Sequence, residues 1–165
     1  MDYIRSFPVF SDLLRDADHA DVKSIESDKS LPEFLSACLS YRPGWMRFLY
    51  WIRSGLARFL GLRMTSVPPS ERMPPEAISF TPGDSVDFLT VTASEKDAYW
   101  VGEASDKHLS GYLGVIAEAL EDSRIRYRLL TVVHYRHWTG PVYFNIIRPF
   151  HHIIVRAMAK YAAKA

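Results

Sequence analysis

Residues 129–162 read LLTVVHYRHWTGPVYFNIIRPFHHIIVRAMAKYA, and the period of the hydrophobic pattern changes half-way along them. Up to Trp138 the residues alternate as a strand does; beyond Thr139 the apolar positions return every three or four residues, as in a helix. The junction carries its own signals. Thr139 can accept from the free N–H groups of a first helical turn, and Pro141 fits that turn because its missing N–H would have had no partner there. A strand is therefore expected to run straight into a closing helix. In that helix Tyr143, Phe144, Ile147, His151, Ile154, Val155 and Met158 form one apolar stripe, and Lys160 and Lys164 stand where the helix dipole favours cations. Pro149 interrupts the pattern, so a bend is expected near residues 145–148. An amphipathic helix must bury its stripe, and a sheet is the natural partner.

Working back towards the N-terminus, Arg124, Arg126 and Arg128 alternate with Ile125, Tyr127 and Leu129, which assigns arginines to water and apolar residues inward. The inward face continues through Thr131, Val133, Tyr135 and His137. Such a surface, apolar with a few hydroxyls and an imidazole, suits either a ligand pocket or a packed core in which the tyrosines find partners at the sheet edge. Three strands precede it. Residues 84–94 alternate, with Val86, Phe88, Thr90 and Thr92 on one face and Leu89, Val91 and Ala93 on the other. Residues 98–104 return after a polar turn, and Trp100 there is either a pocket wall or a core residue. Residues 109–115 follow, where Gly111 and Gly114 indicate a bend at which another element passes close. Residues 118–123 are the last turn.

The N-terminal half reads as helical. SDLLRDA, capped by Ser11 or Asp12, precedes a weak strand around Ala20 to Ser27. Ser30 and Glu33 have capping-box spacing, Pro32 fits a first turn, and Pro43-Gly44 would end that helix. Residues 45–60 form a strongly amphipathic pattern, with Trp45, Phe48, Leu49, Ile52, Leu56, Phe59 and Leu60 on one side and Arg47, Trp51 and Arg58 opposite, closed by Gly61. It is either a core-facing helix or a basic amphipathic helix that docks on a partner or membrane. From Arg63 to Gly83 five prolines exclude a continuous helix, and the segment holds either a short edge strand at Ala77 to Phe80 or a lid.

At 165 residues the chain suits one domain, 1–165, and its 20 basic and 19 acidic side chains give no general field for nucleic acid or a membrane. Cys38 has no second cysteine to pair with and lies in an apolar helical run, so a buried inert thiol is expected. No secretory start and no uncharged run of about 18 residues appears, which places the protein in the cytoplasm as an expectation. Asp106 and His108 are the best catalytic pair by spacing, since on a strand they would share a face and the carboxylate would raise the imidazole's basicity. The alternative is a turn cap beside a strand-end histidine. His134 with His137, and His151 with His152, lack the four-residue helical spacing of one-face ligation, and no metal or cofactor is expected.

The run TVVHYRHWTGPVYFNIIRPFHHIIVRAM, through Gly140, Tyr143, Pro149, Phe150 and His151, is similar to the closing segment of an uncharacterised bacterial group, domain-of-unknown-function family 2867. RPGWMRFLYWIRSGLARFLGL resembles that family's first long helix through Pro43, Trp45, Arg53, Gly61 and Leu62, and DKHL fits through Asp106, His108 and Leu109. After His108-Leu109 the chain departs from the family's acidic, aromatic, basic run, having Ser110, Gly111 and Tyr112. The resemblance implies an α+β helix-grip fold of the SRPBCC (START-like) superfamily, a curved antiparallel sheet wrapped around a long C-terminal helix, and it implies no particular reaction. The function then expected is binding of a small apolar or amphipathic molecule between that helix and the sheet. Trp100, Leu113, Tyr127, Leu129, Thr131, Tyr135, His137, Tyr143, Ile147 and His151 are the expected lining. Two alternatives stand beside it: an enzyme using the same cavity, with Asp106 and His108 or Tyr135 and His137 as acid and base, and an interaction protein using helix 44–61.

Overall fold

The alternation in the C-terminal half becomes five strands that pair with one strand from the N-terminal part. A computed structural model describes residues 2–45, 55, 73–121 and 123–165. The strands β1 (His19–Ser27), β2 (Ser85–Val86), β3 (Leu89–Glu95), β4 (Tyr99–Ser105), β5 (Leu109–Ala119) and β6 (Ile125–Tyr135) form one curved antiparallel sheet in the order β1-β6-β5-β4-β3-β2. The helices are α1 (Asp2–Arg5), α2 (Pro8–Arg15), α3 (Leu31–Ser40) and the long C-terminal α4 (Thr139–Lys164). This is the helix-grip arrangement. Apart from Trp45 and Gly55, the amphipathic pattern at 45–60 lies outside the described residues, as do residues 63–72 of the proline-rich segment.

α3 and α4 pack on the concave face of the sheet. Their Phe34, Leu35, Cys38, Val155, Ala159 and Ala162 share one core with Val91, Trp100, Val115, Tyr127 and Leu129 from the strands. α3 begins as its residues require: the Glu33 carboxylate accepts from the Ser30 backbone N–H at 2.8 Å, and Pro32 occupies the first turn. The stripe on α4 faces inward and runs on through Ala159 and Ala162. The helix is continuous through Pro149.

The convex face departs from the simple assignment of arginines to water. A second core forms there, in which Ile4 of α1 and Phe10 of α2 cover Val101, Ile116, Leu130 and Val132 of the strands. Phe10 lies directly over Gly114, where any Cβ would overlap its ring, so the close approach expected at that glycine is made by α2. The pairing of β5 with β6 runs unbroken across Gly111 and Gly114, however, and the register shift falls instead between Val91 and Ala93 of β3. The arginines serve a cross-strand ladder: Arg126 meets Glu26 at 2.9 Å, Arg128 meets Glu118 at 2.6 Å, and the Arg128 guanidinium lies over the Tyr3 ring. Leu130 and Val132, which alternate in phase with the arginines, are what α1 and α2 bury.

Other local expectations are corrected. Residues 84–94 are two strands, because Asp87 adopts a left-handed conformation (φ 56°) and reverses the chain, placing Val86, Leu89 and Val91 together in the concave core and leaving Phe88 exposed. Ala77 to Phe80 is not a strand; a single 3-10 turn, Pro75–Ala77, leads to the two-residue edge strand β2. α2 starts at Pro8, ahead of Ser11, because proline suits a first turn.

Candidate functional site

Strand register sorts the candidate lining residues. Trp100 pairs with Val115, Val115 with Leu129, and Leu113 with Thr131, so Trp100, Leu113, Tyr127, Leu129, Thr131 and Tyr135 all project from the concave face. They divide between two ends of it. At the α3 end the space is filled. Tyr127 is fully buried, stacked on Phe34 at 3.9 Å between ring centroids, and its hydroxyl donates to the Lys29 carbonyl at 2.7 Å. Trp100 lies flat over Gly102 and donates its indole N–H to the Ser79 carbonyl at 3.0 Å. These two and Leu129 are core.

At the other end burial is mixed, with Tyr143, Phe144 and Thr131 buried. Leu113 and Tyr135 on the sheet and Ile147 and His151 on α4 are half-buried. His151 Nε2 approaches Thr131 Oγ1 at 3.3 Å, joining helix to sheet. Phe144 stands between Tyr135 and His19, with ring centroids at 6.2 and 5.0 Å, and Tyr143 is buried beside it in the same helical turn.

A polar row borders this end. His19, Asp21 and Lys23 alternate along β1 and pair with Val133, Thr131 and Leu129, which puts them on the concave face beneath α4. Lys23 Nζ donates to the Asp21 carboxylate at 2.8 Å, and His152 Nδ1 comes within 3.2 Å of the same group. His152 Nδ1 and His19 Nε2 are nevertheless buried without an aligned hydrogen-bond partner. Burial holds the His19 imidazole below its ordinary pKa, helped by the Arg148 and His152 charges. Burial works against the Asp21 carboxylate, but the Lys23 hydrogen bond and charge outweigh it and hold that group below the usual range. Sequence reasoning missed this row. Its signal was the period-two spacing of three polar residues on the face opposite Ala20 and Val22.

Asp106 and His108 sit in the β4–β5 turn and not on a strand. The Asp106 carboxylate accepts from the backbone N–H groups of His108 and Leu109 at 2.7 and 3.0 Å. The His108 ring bonds Thr139 Oγ1 at 2.7 Å, and His137, on the exposed side of the corner, bonds the same oxygen at 2.9 Å. Thr139, expected as the N-cap of α4, is thus its first helical residue, with its hydroxyl held between two histidines. The His108 carbonyl accepts from the backbone N–H groups of Arg136 and His137, and Gly140 packs against it and Tyr135 where a Cβ would lie 2.7 Å from that oxygen. These contacts latch the start of α4 onto the sheet. Among the described residues no three His, Cys, Asp or Glu side chains converge so as to hold a metal ion, and no helix is long and apolar enough to cross a membrane.

No curated protein matches the chain. Among solved structures it is similar to the one titled "Crystal structure of Ara h 8.0201", at 10% identity and a TM-score of 0.41, covering 89% of this chain and 99% of that one. A family described as "Protein of unknown function (DUF2867)" matches residues 13–158, through the strands, the latch and most of α4, and the chain belongs to that family.

Proposed function

We propose that the protein binds a small apolar or amphipathic molecule between the first half of α4 and the concave ends of β5 and β6. The observation that carries this reading is the contrast along one face: Tyr127, Phe34 and Trp100 close one end, while Leu113, Tyr135, Ile147 and His151 are left half-buried at the other. Half-buried apolar groups beside a few placed polar ones are the composition of a ligand recess. Thr131 and His151 supply polar contacts inside it, Tyr143 supports its wall, and the Asp21, Lys23 and His152 row would meet a polar end of the guest. Trp100, Tyr127 and Leu129 form its floor and far wall, and His137 belongs to the latch. An acid–base role for Asp106 and His108 is not part of the proposal, because the carboxylate is taken up by backbone N–H groups and the ring by Thr139.

Native mass spectrometry of the freshly purified protein tests the reading. A retained small organic molecule is expected, and Leu113→Trp, which fills the recess, should abolish retention with the melting temperature kept. A bare chain mass, together with a loss of stability in Leu113→Trp as large as overpacking a closed core produces, about 1–3 kcal/mol, would overturn it.

A further inference from the structure

α4 carries a second apolar row that the buried stripe does not use. Trp138, Val142, Ile146, Pro149 and Ile153 follow one another at steps of four, four, three and four residues. At about 100° per residue they occupy a sector of roughly 80° on the side away from the sheet. Trp138 is 72% exposed, Val142 43%, Ile146 46% and Ile153 56%. Apolar side chains exposed singly are ordinary, but a continuous row marks an interaction surface. The same sector continues C-terminally through Arg156, Lys160 and Lys164, all exposed, and α4 contains no Asp or Glu at all.

We propose that this face of α4 docks on an anionic lipid surface. The Trp138 to Ile153 row would lie in the boundary between headgroups and acyl chains, with Arg156, Lys160 and Lys164 over the phosphates. Charge selects this occupant over a second copy of the chain. Antiparallel pairing of two such helices sets each basic half against the partner's apolar half, and parallel pairing brings six cations together. An anionic bilayer matches both halves at once, and an exposed tryptophan at the end of the row suits the interface. The surface lies on the side of α4 opposite the recess, so the two proposals fail separately.

Co-sedimentation of the full chain with vesicles of phosphatidylcholine alone, or of phosphatidylcholine mixed with phosphatidylserine, tests it. Three basic groups at the surface, each contributing about fivefold, predict roughly 10²-fold stronger partitioning onto the anionic vesicles. The combined Arg156→Glu, Lys160→Glu and Lys164→Glu variant should lose that preference. Ile146→Glu with Ile153→Glu should lose sedimentation with melting unchanged, since both positions are exposed. Failure to bind anionic vesicles, equal binding to neutral ones, or binding that survives the paired isoleucine substitutions would overturn the proposal. So would a fall in oligomeric mass in the isoleucine variant, which would give the face to a second copy.

Discussion

Gly140→Ala sets two rules against each other. Alanine in a helix is ordinarily favoured over glycine by about 1 kcal/mol, and by less in a first turn. Here the added Cβ would stand 2.7 Å from the His108 carbonyl oxygen and 3.2 Å from Tyr135 Cδ1. A close C···O contact is roughly 3.3 Å, so the carbonyl or the helix must move by about 0.6 Å. The carbonyl is not free to move, because it accepts from Arg136 N at 2.8 Å and His137 N at 3.2 Å. Overpacking of this kind costs about 1–3 kcal/mol, which leaves a net destabilisation of about 0.5–2.5 kcal/mol after a first-turn propensity gain of about 0.5 kcal/mol. For a chain of this size that is a fall in melting temperature of roughly 1–10 °C. Urea unfolding should show a lower midpoint at unchanged slope. Gly111→Ala is the control, since its Cβ would meet only the Ala104 carbonyl, at 3.7 Å. If Gly140→Ala matches or exceeds the wild type, or if Gly111→Ala falls equally, the latch argument is wrong.

Tyr127→Phe keeps the stack on Phe34 but leaves the Lys29 carbonyl unpaired, so unfolding should show a loss of about 1 kcal/mol. Cys38, its thiol pushed up to about 12 by burial, should ignore a thiol reagent in the native protein and react at the rate of unfolding, which labelling against denaturant concentration would show. The His19 pKa is lowered by folding, so the unfolded chain takes up the proton more readily below about pH 6.5, and native stability should fall as pH drops through that value. Melting of His19→Gln at about pH 7.5 and 5.5 should show a smaller difference than the wild type, and an unchanged difference would remove His19 as the cause.

The main lines of this structure were legible where one period dominates. The switch at Trp138–Thr139 located both β6 and α4, and the capping pair Ser30 and Glu33 located α3, because local chemistry decided each. What was not legible depended on contacts distant in sequence. Leu130 and Val132 alternate in phase with Arg126 and Arg128, yet α1 and α2 bury them, and nothing in β6 announces that cover. Asp106 and His108 have the spacing of a pair on a strand, but the Asp106 carboxylate finds nearer donors in the two N–H groups that follow it, and a turn forms. The polar row on β1 is not legible because His19, Asp21 and Lys23 alternate as solvent-facing residues would, and it is α4, distant in sequence, that covers their face.

The two halves of α4 differ in what they let approach. In the C-terminal half the inward positions include Ala159 and Ala162, small enough for the helix to settle against α3, and the core there closes around Val155, Phe34 and Cys38. In the N-terminal half the corresponding positions are Tyr143, Ile147 and His151, longer side chains, and His151 Nε2 reaches Thr131 Oγ1 on the sheet at 3.3 Å. Pro149 stands between the halves and removes one backbone hydrogen bond at the point where the packing changes. Besides its own buried Tyr143 and Phe144, the first half is fixed at its two ends: by the Thr139 and Gly140 latch at the start and by the close packing beyond Val155. On the proposed reading a guest between helix and sheet requires a wall held at its ends, and the latch then helps to set that recess although none of its residues lines it.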